Sequence, residues 1–178
     1  LSRCSWLPRR KVRLLEVFAC RASNPFVETP VGDVSVILDA SEHFQALMAL
    51  GLYEEETRDF VRHALRPKDV YVDVGAQLGY TAAQAAEMLD PDGKMYLIEP
   101  DPRAFSRLSK SIREVESGEL PKIELLQAAC SDREGTCELT LMETIGHSKV
   151  APEKGVPSHK VPTVVLDHWL AEQQIDRI

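Results

Sequence analysis

Two carboxylates and two glycines are the residues of this chain whose types and spacing could do chemistry. In the run VYVDVGAQLGYT, residues 70–81, the apolar and β-branched Val70, Tyr71, Val72 and Val74 surround a single acid, Asp73. Such a run reads as a buried strand carrying a charge near its end. Gly75 and Gly79 then punctuate a turn, and Ala82, Ala85, Ala86 and Leu89 recur at helical spacing, so the expected order is strand, tight loop, helix. A second apolar run, KMYLIE, also closes on an acid: Glu99, 20 residues beyond Gly79. That interval lets one strand–helix–strand unit set both acids at the carboxyl ends of neighbouring parallel strands, where open α/β sheets bind their ligands.

The charge of the loop restricts what that ligand can be. A glycine lets a ligand approach the backbone closely, and a helix N-terminus presents unpaired N–H groups. A dinucleotide fingerprint would place its second and third glycines at Gln77 and Tyr80, so the pattern fails twice. Asp73 would also repel a phosphate held there. A ligand with cationic groups suits the loop better, and S-adenosylmethionine offers a sulfonium, an ammonium, an adenosine and no phosphate.

The run D-V-G-A-Q-L-G-Y-T resembles the first motif of Rossmann-like methyltransferases and, with its flanks, that of the FkbM-type O-methyltransferases. Gly51, Tyr53 and Glu54 match the G-x-Y-E lead-in of that family, Ala129-Cys130-Ser131-Asp132 with Gly135 its A-x-S-D-x-x-G segment, and PTVVLDHWL its T-x-x-L-D-x-x-L segment. The likeness covers about residues 50–178. It implies an α/β fold, a Rossmann-like sheet with helices on both faces, and S-adenosylmethionine as cofactor. Its cofactor contacts would fall on Asp73, Gly75, Ala76, Gln77, Gly79 and Tyr80, on Glu99, Pro100 and Asp101, and on Ala129, Cys130 and Ser131. Glu99 would take the ribose hydroxyls, and Ala129 and Cys130 would pack on the adenine while a backbone amide or Ser131 reads its edge. Glu54 would face the pocket. Gln77 stands where the family carries Asn, one methylene shorter. The family's next strand, K-I-D-x-E-G, has no counterpart before Ile178, so the resemblance implies a cofactor-binding half with an unpaired first strand, open to self-association and binding the cofactor weakly.

The elements that must position these residues follow from composition and pattern. With 178 residues and 44% hydrophobic content the chain is of single-domain size. Its division is read as a lead-in, residues 1–66, holding a basic helix, a β-hairpin and helices, and a cofactor-binding half, residues 67–178. The hairpin is expected in 26–38 with its turn at Pro30–Asp33, and helices in Ser41–Leu50 and Glu54–Leu65. Asp101 and Pro102 read as N-cap and first residue of a helix with Phe105, Leu108, Ile112 and Val115 on one face. Ile123–Ala129 supplies a third strand, and Cys137–Leu141 and Val161–Val165 two more. The polar segment between those two is either a plain connection or part of a substrate lid.

Net charge is −7, which argues against nucleic acid as the main partner. No apolar run is long enough to span a membrane. Cys4, Cys20, Cys130 and Cys137 form no C-x-x-C pair and have no histidine at metal spacing, so no metal and a reduced, cytoplasmic setting are expected. Residues 1–21 carry six basic side chains against one acid, a net of +5 that leaves −12 for the remainder. With Leu7, Leu14, Leu15 and Phe18 as its apolar side this helix could meet an anionic surface; a terminal helix packed on its own domain is the preferred reading. Methylation of a hydroxyl on a small-molecule acceptor is the expected chemistry. No catalytic base stands out, because His43, His63, His147, His159 and His168 are scattered. Two other readings stay open: a nicotinamide-dependent oxidoreductase using Glu99 on the ribose, and a noncatalytic interaction module.

Overall fold

The computed structural model describes residues 6–32, 34–113, 120–142, 144–145, 148–150, 155–175 and 177–178. Helix α1 (Trp6–Arg21) leads into an antiparallel hairpin of β1 (Phe26–Val31) and β2 (Val34–Asp39). Pro30 lies inside β1, so the turn is tighter than the sequence suggested and includes Gly32, at φ +57°. Alternation in β2 works as expected: Val34, Val36 and Leu38 are buried on one face. Helices α2 (His43–Ala49) and α3 (Glu55–Ala64) follow, close to the expected spans.

Strand β3 (Val70–Val74), α4 (Tyr80–Ala86), β4 (Lys94–Ile98), α5 (Pro102–Arg113) and β5 (Lys122–Leu126) build a three-stranded parallel sheet in the order β3-β4-β5. Parallel neighbours need such helical crossovers, and a shared crossover hand puts α4 and α5 on one face. The two helices do meet, since a Cβ on Gly79 would lie 2.6 Å from Leu108 Cδ1. Met95 and Leu97 of β4 share a core with Ala82, Ala85 and Leu108, and the hairpin adds Val34, Val36 and Leu38 to it. This core draws on both sides of residue 66. Tyr96 points to the opposite face, where Trp169 of a later helix meets its ring edge-on at 5.2 Å. The fold is thus α/β, with a parallel sheet and helices on both faces.

The third expected strand is shorter than 123–129. It breaks after Leu126, and β6 (Ala129–Cys130) belongs to a second sheet with β7 (Gly135–Thr140) and β8 (Ser158–Val164), ordered β6-β8-β7. β8 runs parallel to β6 and antiparallel to β7, around a small core of Ala129, Leu139 and Val161. Helix α6 (Leu166–Glu172) closes the chain. The outer edge of β3 pairs with no strand among the described residues, and Val74 there is 50% exposed. On α5 the buried positions include Ala104, Leu108 and Ser111; Val115 and the side chain of Ile112 lie outside the described residues.

Candidate functional site

The loop after β3 has spent most of its donors inside the protein. Gly75 and Ala76 donate their N–H groups to the Ile98 carbonyl, at 2.8 and 3.0 Å, and Gly79 donates to the Ala76 carbonyl at 2.8 Å. Gln77 donates its N–H to Glu99 Oε2 at 2.8 Å. Gly75 and Gly79 take φ of +84° and +83°, and Gln77 takes +50°. The first two values are natural to glycine; for Gln77 the left-handed backbone is strained, and an asparagine there would tolerate it better. A loop wired this way has few amides left to cradle a diphosphate.

What the loop offers instead is negative charge. A cleft of about 380 Å³ lies between the loop, β3 and α3, lined by Tyr53, Glu54, Phe60, Tyr71, Asp73, Gly75, Gln77 and Tyr80 among others. Among the described residues, no Lys, Arg or His is in that lining. Asp73 accepts a hydrogen bond from the Tyr71 hydroxyl at 3.2 Å, and burial pushes its pKa up against the pull of that bond. Burial, and then the Asp73 charge, drives Tyr71 upward, so it remains a donor. Arg58 donates to the Gly51 carbonyl at 3.4 Å and lies beside the acids Glu55 and Asp59; it does not line the cleft. Glu54 does face the cleft, from a backbone at φ +43° with no side-chain capping bond. Rings of Phe44, Tyr53 and Tyr80 form an edge-to-face chain with centroids 6.2 and 6.1 Å apart. A smaller cleft adjoins the first through Met48, Tyr53, Gln77 and Leu78 and is walled by Glu42, Thr144 and Ile145.

Glu99 sits differently. It is 4% exposed, outside both clefts, and its two oxygens accept the N–H groups of Gln77 and Asp101 at 2.8 and 2.7 Å. Burial raises its pKa while those two bonds lower it. Of about four acceptor positions on a carboxylate, two are used. Pro100 follows it, half-buried. Asp101 caps α5 by accepting the Arg103 N–H at 2.9 Å, as the sequence suggested. Its carboxylate is 1% exposed and also takes the Arg103 guanidinium at 2.7 Å and the Ser148 hydroxyl at 2.6 Å. Burial alone would raise the Asp101 pKa; the bonds from Arg103 and Ser148 outweigh it and hold the group below the ordinary value of 3.8. Asp101 is a structural brace here, fully engaged.

The third segment departs from expectation. Ala129 packs in the second core with Leu139 and Val161, so its side chain is not free to lie on a ligand ring. A backbone amide or Ser131 was expected to read a ligand edge; the Ser131 N–H is taken by the Val164 carbonyl at 2.9 Å, and the Ser131 hydroxyl donates to Asp132 at 3.2 Å. The parallel pairing of β6 with β8, which the sequence did not reveal, sets the packing of Ala129 and the bond of the Ser131 N–H. Cys130 remains half-exposed.

The chain segment after β7, read from sequence as either a plain connection or part of a lid, packs against the domain at three described residues. Thr144 donates to Glu42 at 3.3 Å, and Ile145 packs against the main core, so these two rim the smaller cleft; Ser148 reaches Asp101 instead. His147 lies outside the described residues. His43 and His63 are exposed, bonded to Glu16 and the Asp59 carbonyl at 2.6 Å each; His159 and His168 are exposed too. None of these four lines either cleft.

No family model matches the chain, and no curated protein matches its sequence. Among solved structures, a candidate rRNA methylase of Clostridium thermocellum is 15% identical over 42% of this chain and 40% of its own, with a TM-score of 0.38. Trm5b of Pyrococcus abyssi is 12% identical over 62% of this chain and 34% of its own, at 0.42. A candidate transferase of Pyrococcus horikoshii is 21% identical over 68% and 49%, at 0.37. The chain spans less than half the length of each. Likenesses at this level assign no activity.

Proposed function

We propose that the chain is the cofactor-binding part of an S-adenosylmethionine-dependent methyltransferase of FkbM type, acting on a hydroxyl of a small-molecule acceptor. The observation that carries this reading is the donor set of the cleft: carboxylates and aromatic rings without a basic residue among the described lining, beside a loop whose amides are largely consumed internally. When bound, S-adenosylmethionine supplies a methyl group on a positively charged sulfur. Asp73, held by Tyr71, would attract the cationic end of such a ligand, and Glu54 would add to the negative potential. Aromatic faces such as those of Tyr53 and Tyr80 favour a cation by a further amount, about 0.5–2 kcal/mol. Glu99, sealed behind the loop, would act through its bonds to the Gln77 and Asp101 N–H groups, holding the loop in place beside the ligand. With Ala129 and the Ser131 amide engaged elsewhere, Cys130 is the side chain of that segment left to meet an adenine. The remaining catalytic demand is alignment of the acceptor oxygen, worth about 7–11 kcal/mol in favourable cases.

Thermal unfolding with S-adenosylmethionine, S-adenosylhomocysteine and NAD tests the reading. A ligand at a hundred times its Kd stabilises by about 2.7 kcal/mol. The expected outcome is an upward shift with both sulfur nucleosides, none with NAD, and loss of the shift in Asp73→Asn. Stabilisation by NAD that strengthens in Asp73→Ala would instead make the protein a nicotinamide binder. No shift with any of the three would leave an interaction module.

A further inference from the structure

Helix α1 is seated on one side and apolar on the other. Val12 and Ala19 are 2% and 8% exposed and anchor the helix where it lies against α2. Leu14, Val17 and Phe18 are 57%, 39% and 69% exposed, and at about 3.6 residues per turn they fall on the side away from Val12 and Ala19. Arg10, Lys11, Arg13 and Arg21 are exposed as well. By the same geometry Arg10 and Arg21 share the outward arc with Leu14, and Lys11 and Arg13 flank it. The one acid of the helix, Glu16, is turned toward α2 and bonds His43 at 2.6 Å. The outward face therefore combines large apolar side chains with positive charge and has no acid of its own.

We propose that α1 is an interfacial anchor that lies flat on an anionic lipid surface. Leu14, Val17 and Phe18 would enter the boundary between headgroups and acyl chains while the four basic residues meet the phosphates. Nucleic acid would reward the arginines but leave the apolar residues with nothing to bury against; a lipid surface rewards both. The charge asymmetry sets the orientation, because +5 in residues 1–21 against −12 elsewhere draws this end to the surface and holds the rest away. The contact is peripheral, since among the described residues no helix is long and apolar enough to cross a membrane. It does not depend on what the cleft binds.

Co-sedimentation of the full chain with phosphatidylcholine vesicles, with and without phosphatidylglycerol, tests the proposal. Binding is expected only with phosphatidylglycerol, and it should weaken as salt shortens the screening length from about 8 Å toward about 3 Å. Phe18→Ser should lower the partition about tenfold and Arg13→Gln about fivefold, with unfolding midpoints unchanged because both side chains face water; Leu14→Ser is the second apolar test. Failure to bind the anionic vesicles overturns the proposal. So does binding that neither Phe18→Ser nor Leu14→Ser weakens, or tighter binding to polyuridylate than to the vesicles, which would give the face to nucleic acid.

Discussion

The tips of β3 and β4 carry the same signature in sequence, an apolar run and an acid, yet the two acids live in opposite surroundings. Asp73 opens onto a cleft, with the Tyr71 hydroxyl as a hydrogen-bond partner and no basic residue among the described residues of the lining. Glu99 is sealed at 4% exposure and bonded to two backbone amides. Burial raises the pKa of both, but only Glu99 is drawn back by backbone donors. Position at a strand tip therefore does not set a carboxylate's task; its donors do. One acid keeps its charge available, and the other uses it to hold the loop on which the first depends.

The sharpest way to break this contrast is Glu99→Ala, which strips one buried and one partly buried N–H group of their acceptor. At about 1–3 kcal/mol for each unsatisfied group, stability should fall by about 2–6 kcal/mol in urea unfolding, with Glu99→Gln intermediate. Asp73→Asn should do the reverse. Binding of S-adenosylmethionine should weaken by about 1.5–3 kcal/mol, roughly ten- to a hundredfold in calorimetry, without loss of stability. The sign follows from the raised pKa: the wild-type charge costs folding free energy that sets in as pH climbs from 3.8 through the higher folded value. The variant's relative stability should therefore grow with pH across that window, while wild-type affinity for the cation rises over it.

Ser148→Ala probes the brace beside Glu99 and should cost about 1–2 kcal/mol at neutral pH. Asp101 titrates below its ordinary 3.8, so its stabilisation is complete above that value and is lost as pH falls through the folded one. The gap between wild type and Ser148→Ala, followed by thermal unfolding, should accordingly close in acid. Smallest of all, Glu54→Gly should relieve a left-handed backbone at φ +43°. A gain of a few tenths to about 1 kcal/mol is expected, together with a modest loss of cation affinity.

Local pattern made much of this legible. The alternation of Val34, Val36 and Leu38 and the cap at Asp101 are each written within a few residues, and the structure uses them as read; the two acid-tipped strands are neighbours as read, but only Asp73 lines the cleft. The lost details are long-range. Nothing near Ala129 or Ser131 signals that β8, more than 25 residues later, takes their backbone. Nor does the polar composition after β7 disclose that Ser148 reaches Asp101. Helix α1 was legible only on its outer side: of the apolar residues read there, Leu14 and Phe18 face water, and the side chain of Leu7 lies outside the described residues. Val12 and Ala19, smaller and unremarked, are what bury.

Trp169 stacks edge-on against Tyr96 at 5.2 Å, across the sheet face opposite the hairpin. At that range excitation absorbed by the phenol passes to the indole before it can be emitted, so Tyr96 is optically dark while α6 stays docked. Detachment of that helix would restore its emission near the ultraviolet, giving the protein a built-in optical gauge of whether its second face is closed.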